Sequence, residues 1–282
     1  MTNAIQTHEP SDKLKPFVLC YYFIKSEDPN FRSVHYSFPN TFTALTLYKD
    51  SEFVFAENYF LAKQSMVGKG GAIVQIRKQA PLLVDIMGKV DRVTILFKDF
   101  GLNQFIPFSM EQVMSEQNGF FDHWNQDDQF QQYKDRLFSL EAHKERIALL
   151  EEFLWCRLVP REYPLMRKAV AMLQDFDRDW KMEEIAQELH LSLRSFNRLF
   201  KQAIGNTPIT YRRIAQFRYS LKRQSFQDQF QRLTDIGYQS HFYDQSYFNK
   251  VYKKLTGSNP KSFFQSIDRM GNDRLIFQYV KK

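Results

Sequence analysis

The chain has 282 residues, 43% hydrophobic and 25% charged, which is enough apolar material for two packed domains and excludes wholesale disorder. Only two cysteines occur, Cys20 and Cys156. That excludes a disulfide framework or a Cys-rich metal site, and it fits a reducing compartment. The net charge of +7 is unevenly spread: residues 1–160 hold 17 Lys+Arg against 20 Asp+Glu, whereas residues 161–282 hold 22 against 12. Within 191–264 the count is 13 against 3. An acidic half joined to a basic half is the electrostatic footprint of a nucleic-acid binder.

Along the chain, residues 17–108 predict strands. Phe17–Phe23, Thr43–Tyr48, Ala72–Ile76 and Val93–Phe97 are short, β-branched or aromatic, and separated by turn formers. Gly68-Lys69-Gly70-Gly71 is read as a hairpin turn; it lacks the Gly-Lys-Ser/Thr ending of a phosphate loop. The spacing predicts an antiparallel sandwich or barrel, and the 16% aromatic content predicts a core rich in rings. From about 109 the pattern turns helical. Leu137, Leu140, Ile147, Leu150 and Leu154 recur at spacings of three, four and seven, which predicts a helix that packs on the sheet or pairs with a second subunit. Val159 to Pro164 breaks it and sets the domain boundary, giving ranges 1–160 and 161–282.

The basic half contains a duplication. Residues 196–208 lie 52 positions before residues 248–260, with Phe, Asn, Lys, Gly and Pro identical in thirteen gapless columns. Each copy reads as helix, tight turn, helix, over about 181–202 and 232–254. Ser192 and Asp244 are the expected N-caps of the second helices. The apolar stripes Leu193, Phe196, Leu199, Phe200 and Phe248, Val251, Tyr252, Leu255 face inward. Gly205 and Gly257 end them, with Pro208 and Pro260 just beyond. The outward faces carry Arg194, Ser195, Asn197, Arg198 and Lys201 in the first copy, and Gln245, Ser246, Tyr247, Asn249, Lys250 and Lys253 in the second. Arg, Lys, Asn and Gln can hydrogen-bond base edges, and cations neutralise phosphates. Neither face carries an acid, unlike an ordinary solvated helix.

These residues resemble the double helix-turn-helix DNA-binding domain of AraC/XylS-type transcriptional regulators over 165–264. The resemblance implies base contacts at Arg194, Asn197, Arg198, Gln245, Ser246, Tyr247, Asn249 and Lys250. Phosphate contacts are expected at Ser192, Ser195, Lys201, Arg212, Arg218, Asp244 and Lys253. One departure stands out: His190 and His241 occupy the inter-helix turn position that usually holds Gly. His is among the non-Gly residues that enter the left-handed region more readily. The expected fold class is α+β, with a β-rich, cupin-like sandwich or barrel followed by an all-α domain with two helix-turn-helix motifs. The expected partners are double-stranded DNA, RNA polymerase, a small effector of unknown identity bound by the first domain, and a second copy of the chain through 109–158. A cytoplasmic regulator without cofactor, metal or enzymatic activity is expected, since His8 and His35 are the only histidines in 1–108 and no catalytic motif is present. Two rival readings stay open: a regulator that senses no small molecule, and a helix-turn-helix fold used for protein interaction.

Overall fold

The computed structural model describes residues 5, 7–68, 70–75, 79–115, 119–226, 245–270 and 275–280, with the side chains of 223–226 and 268–270 left aside. Two sheets face each other. The first holds β1 (Thr7–His8), β2 (Val18–Ser26), β9 (Val90–Phe97), β4 (Thr43–Tyr48) and β7 (Gly71–Gln75), in that order. The second has the order β10 (Asp268–Met270), β11 (Leu275–Tyr279), β3 (Arg32–Ser37), β8 (Leu82–Met87), β6 (Tyr59–Gln64) and β5 (Ser51–Ala56). Pairing is antiparallel except between β6 and β8.

Strand alternation sorts the first sheet's side chains into two layers. Every residue of β4 and β9 is buried, because both faces are covered. Leu45, Leu47, Val93, Ile95 and Phe97 pack outward against helices. Thr46, Tyr48 and Arg92 point inward, toward the second sheet. Thr46 and Thr94 sit opposite each other in the ladder and share a buried hydroxyl–hydroxyl bond of 2.9 Å.

The outer face is roofed by α1 (Met110–Ser115), α2 (Asp122–Asn125), α3 (Asp128–Ser139) and α4 (His143–Cys156). The predicted helix is thus two, α3 and α4, broken at Leu140, whose backbone is extended. Phe130, Leu137, Leu150 and Leu154 are at most 1% exposed, and burying each such side chain contributes about 1.5–3 kcal/mol. The glycine-rich run at 68–71 differs from expectation. It leads from β6 in one sheet to β7 in the other, so it is a crossover and no hairpin turn; a Cβ at Gly70 would lie 2.4 Å from the Tyr48 carbonyl oxygen.

The helical region begins with α5 (Pro164–Gln174), followed by α6 (Met182–Glu188), α7 (Leu193–Ile204), α8 (Pro208–Phe226), α9 (Gln245–Thr256) and α10 (Pro260–Ser266). The chain then returns to the first domain: β11 pairs antiparallel with β3, Phe277 opposite Ser37 and Tyr279 opposite His35. The end of range 161–282 is therefore built into the sheet of range 1–160. No helix among the described residues is long and apolar enough to cross a membrane.

Candidate nucleic-acid interface

The first motif is α6, a tight turn and α7. Ile185, Ala186 and Leu189 are buried against Phe196 and Phe200, and the small Ala186 lets the helices approach. The turn closes α6 with two capping bonds: Leu191 N–H donates to the Ala186 carbonyl and His190 N–H to the Gln187 carbonyl, both at 2.9 Å. That pattern needs a left-handed residue, and His190 supplies it at φ 55°. Ser192 caps α7, its Oγ accepting from Ser195 N–H at 3.2 Å. Gly205 ends α7 at φ 83°. Thr207 Oγ1 then accepts from Thr210 N–H at the start of α8.

The second motif repeats this where it is described. Phe248, Val251, Tyr252 and Leu255 are buried on one side of α9, Gly257 has φ 76°, and Asn259, aligned with Thr207, caps α10 by accepting from Ser262 N–H at 2.9 Å. The first helix of this motif, His241 and Asp244 lie outside the described residues. Helix α8 joins the two cores: Tyr211 and Ala215 pack with the first motif, Ile214, Phe217 and Leu221 with the second.

Most expected contact residues stand on the open faces of two 12-residue helices. Arg194, Arg198, Gln245, Ser246, Asn249, Lys250 and Lys253 are exposed. Neither Arg194 nor Arg198 meets a carboxylate among the described residues. Asn197 is half-buried and donates from Nδ2 to the Leu193 carbonyl at 2.8 Å, a local bond that holds the amide near the helix start. Ser192 donates to Ser195 Oγ at 3.0 Å. Tyr247 is half-buried against the second core.

Three expected phosphate contacts are placed differently. Arg218 Nε and Nη2 donate to the carbonyls of Pro39 and Phe38 at 2.8 and 2.9 Å, so burial against the β3–β4 loop commits this side chain to the first domain. Arg212 is 11% exposed and lies 3.7 Å from Asp179, its pKa lowered chiefly by burial. Lys201 remains on the surface but pairs with Glu111 of α1 at 2.7 Å. A lysine or arginine on a predicted helix carries no local mark of which distant partner it will meet. Leu193 also departs from the inward stripe, being exposed at the first position of α7.

Helix α7, paired with α6, and a second helix, α9, that matches α7 in length and in the left-handed glycine at its end, each present an acid-free polar face. Residues 185–266 match the family model described as a helix-turn-helix domain. The chain is 28% identical over 139 residues to the arabinose operon regulatory protein of Escherichia coli, covering 45% of this chain and 46% of that one. It is 24% identical over 226 residues to the transcriptional activator RhaS of Salmonella paratyphi A, covering 73% and 79%. The chain thus spans about half the length of the first relative and about four-fifths of the second. Among solved structures, ToxT from Vibrio cholerae aligns over 93% of this chain and 98% of its own at 12% identity and a TM-score of 0.43. The C-terminal region thus carries a helix-turn-helix domain.

Proposed function

We propose that this chain is a sequence-specific DNA-binding transcriptional regulator of the AraC type, with α7 and α9 as its two recognition helices. The observation that carries this is the repeated geometry: two equal-length helices, ended by left-handed glycines, project Arg194, Asn197 and Arg198 from one and Gln245, Asn249 and Lys250 from the other. These side chains match base edges, Arg and Lys toward guanine and Asn and Gln toward adenine. Ser192, Ser195 and Lys253 are the phosphate contacts of this reading, with Ser192 and Lys253 exposed.

Range 1–160 acts as the sensing unit and range 161–282 as the reading unit of a non-enzymatic, cytoplasmic protein. Strand β11 supports communication between them. Ile276 packs with Phe248 and Tyr252 of the second motif, while the next residue, Phe277, lines a cavity between the sheets. A second copy of the chain would dock through Trp155 and Val159, exposed at the end of α4 and just beyond it, because the inner faces of α3 and α4 are used against the first sheet. RNA polymerase is the further partner of such a regulator.

Selection of binding sites from random duplex DNA by the full chain tests the reading. A defined consensus is expected, and Arg198→Ala should relax one base position at a cost of about 1–3 kcal/mol. Recovery of no consensus would contradict sequence-specific binding.

A further inference from the structure

A partly open cavity of about 80 Å³ lies between the two sheets, several times the roughly 10–15 Å³ that one water needs. Phe55, Phe60, Val84 and Phe277 line it. One lining residue is foreign to an apolar core. Arg92, on β9, is 5% exposed, and a guanidinium keeps its charge wherever it is placed. Its Nη1 donates to Tyr48 Oη at 2.7 Å, but its Nε is buried with no hydrogen-bond partner.

Among the described residues no carboxylate lines the cavity. Asp91, the adjacent acid in sequence, faces the helices, where Arg146 holds it at 2.6 and 2.7 Å. His35, also in the wall, is pushed down to about 3 by burial and then by the charge of Arg92, so it is neutral near pH 7. Arg146 shows how this fold satisfies an arginine kept for structure: both Nη atoms rest on one carboxylate. Arg92 is also buried, at 5% exposed, and among the described residues it lacks the acid. A desolvated, uncompensated cation is costly to keep, and a planar fork with an open N–H is the group that best recognises a carboxylate.

We propose that the cavity is a binding site for a small organic acid, its carboxylate paired with Arg92 and its apolar body among Phe55, Phe60 and Phe277. This rests on the sensing role given above to range 1–160 and names the chemical class sensed.

The test is thermal melting of the full chain near neutral pH with benzoate, phenylacetate and hexanoate, each beside its uncharged amide. At least one acid is expected to raise Tm while its amide does not. Arg92→Gln should abolish the shift, and Arg32→Gln, on an exposed side chain paired with Asp85, should retain it. Should Arg92→Gln fail to fold, Arg92→Lys is compared, with weaker binding expected and unchanged affinity counting against the proposal. In ligand-free protein, Arg92→Met is expected to leave Tm unchanged or raise it; a lower Tm would mark the arginine as structural and overturn the idea. Equal shifts from acids and amides, or a shift retained in Arg92→Gln, would overturn the acid class while leaving sensing intact. No shift from any acid or amide would overturn the proposal and remove support for sensing as well.

Discussion

Asp91 and Arg92 are consecutive on β9 and lie on opposite sides of the first sheet, so neither neutralises the other. Asp91 meets Arg146 of α4 in a two-pronged pair at 2.6 and 2.7 Å, with the Arg146 side chain 1% exposed. Asp91→Asn would leave that guanidinium buried without a counter-charge, which should cost about 3–5 kcal/mol in urea unfolding. Replacing both partners with apolar residues, Asp91→Leu with Arg146→Met, should recover most of the loss. An unaltered midpoint in Asp91→Asn would show the pair to be dispensable.

Acid should destabilise the first domain through His35. Its folded pKa is about 3, against about 6.5 in an unfolded chain. Between those values the unfolded state binds a proton that the native state refuses. The contribution of this residue is therefore fully present above pH 6.5 and is lost as pH falls toward 3, at up to about 1.4 kcal/mol per unit. His143 is also lowered, chiefly by burial, so the informative quantity is the difference between wild type and His35→Gln. The variant should show a shallower loss over pH 6.5 to 4; parallel curves would mean that His35 is not held neutral.

The turn of the first motif tolerates His190 at φ 55° only with some strain. His190→Gly should be neutral or stabilising, by no more than about 1 kcal/mol, since glycine enters that region freely but loses more entropy on folding. His190→Val should cost more than about 1 kcal/mol, because a β-branched residue resists the left-handed conformation. Equal stability of the two variants would argue that another backbone geometry serves the turn.

Lys201 and Glu111 tie α7 to α1 across the domains. Both side chains are substantially exposed, at 49% and 37%, so the pair should add no more than about 1 kcal/mol to stability. Glu111→Gln should leave Tm nearly unchanged, tighten binding to non-specific DNA, and steepen the dependence of log K on log salt by about one unit as Lys201 becomes free for phosphate. Fluorescence anisotropy across a potassium chloride series reads both effects. An unchanged slope would mean that Lys201 does not reach the backbone.

The duplication made the helical region legible, because its glycines, caps and apolar stripes are local marks that recur in register. His190 was readable for the same reason: the turn position demands a left-handed residue, and His is among the types that accept it. Burial of charge was not readable. Arg218 resembles any basic residue on a helix until the β3–β4 loop, about 180 positions away, closes over it. The strand reading began at Val93 and so left out Asp91 and Arg92, since charged residues argue against a strand when its two faces are unknown. Leu275-Ile276-Phe277 stands out as an apolar run, but its partner, β3, is remote in sequence, and only the folded chain brings them together.

Hydroxyl-radical footprinting of the full chain on a selected DNA site tests the central reading most directly. Two helices reading successive major grooves should protect two stretches on one face of the duplex, centred about one helical turn, roughly 34 Å, apart. Arg198→Ala should weaken one stretch and spare the other. A single protected stretch, or uniform protection that is indifferent to sequence, would contradict the account.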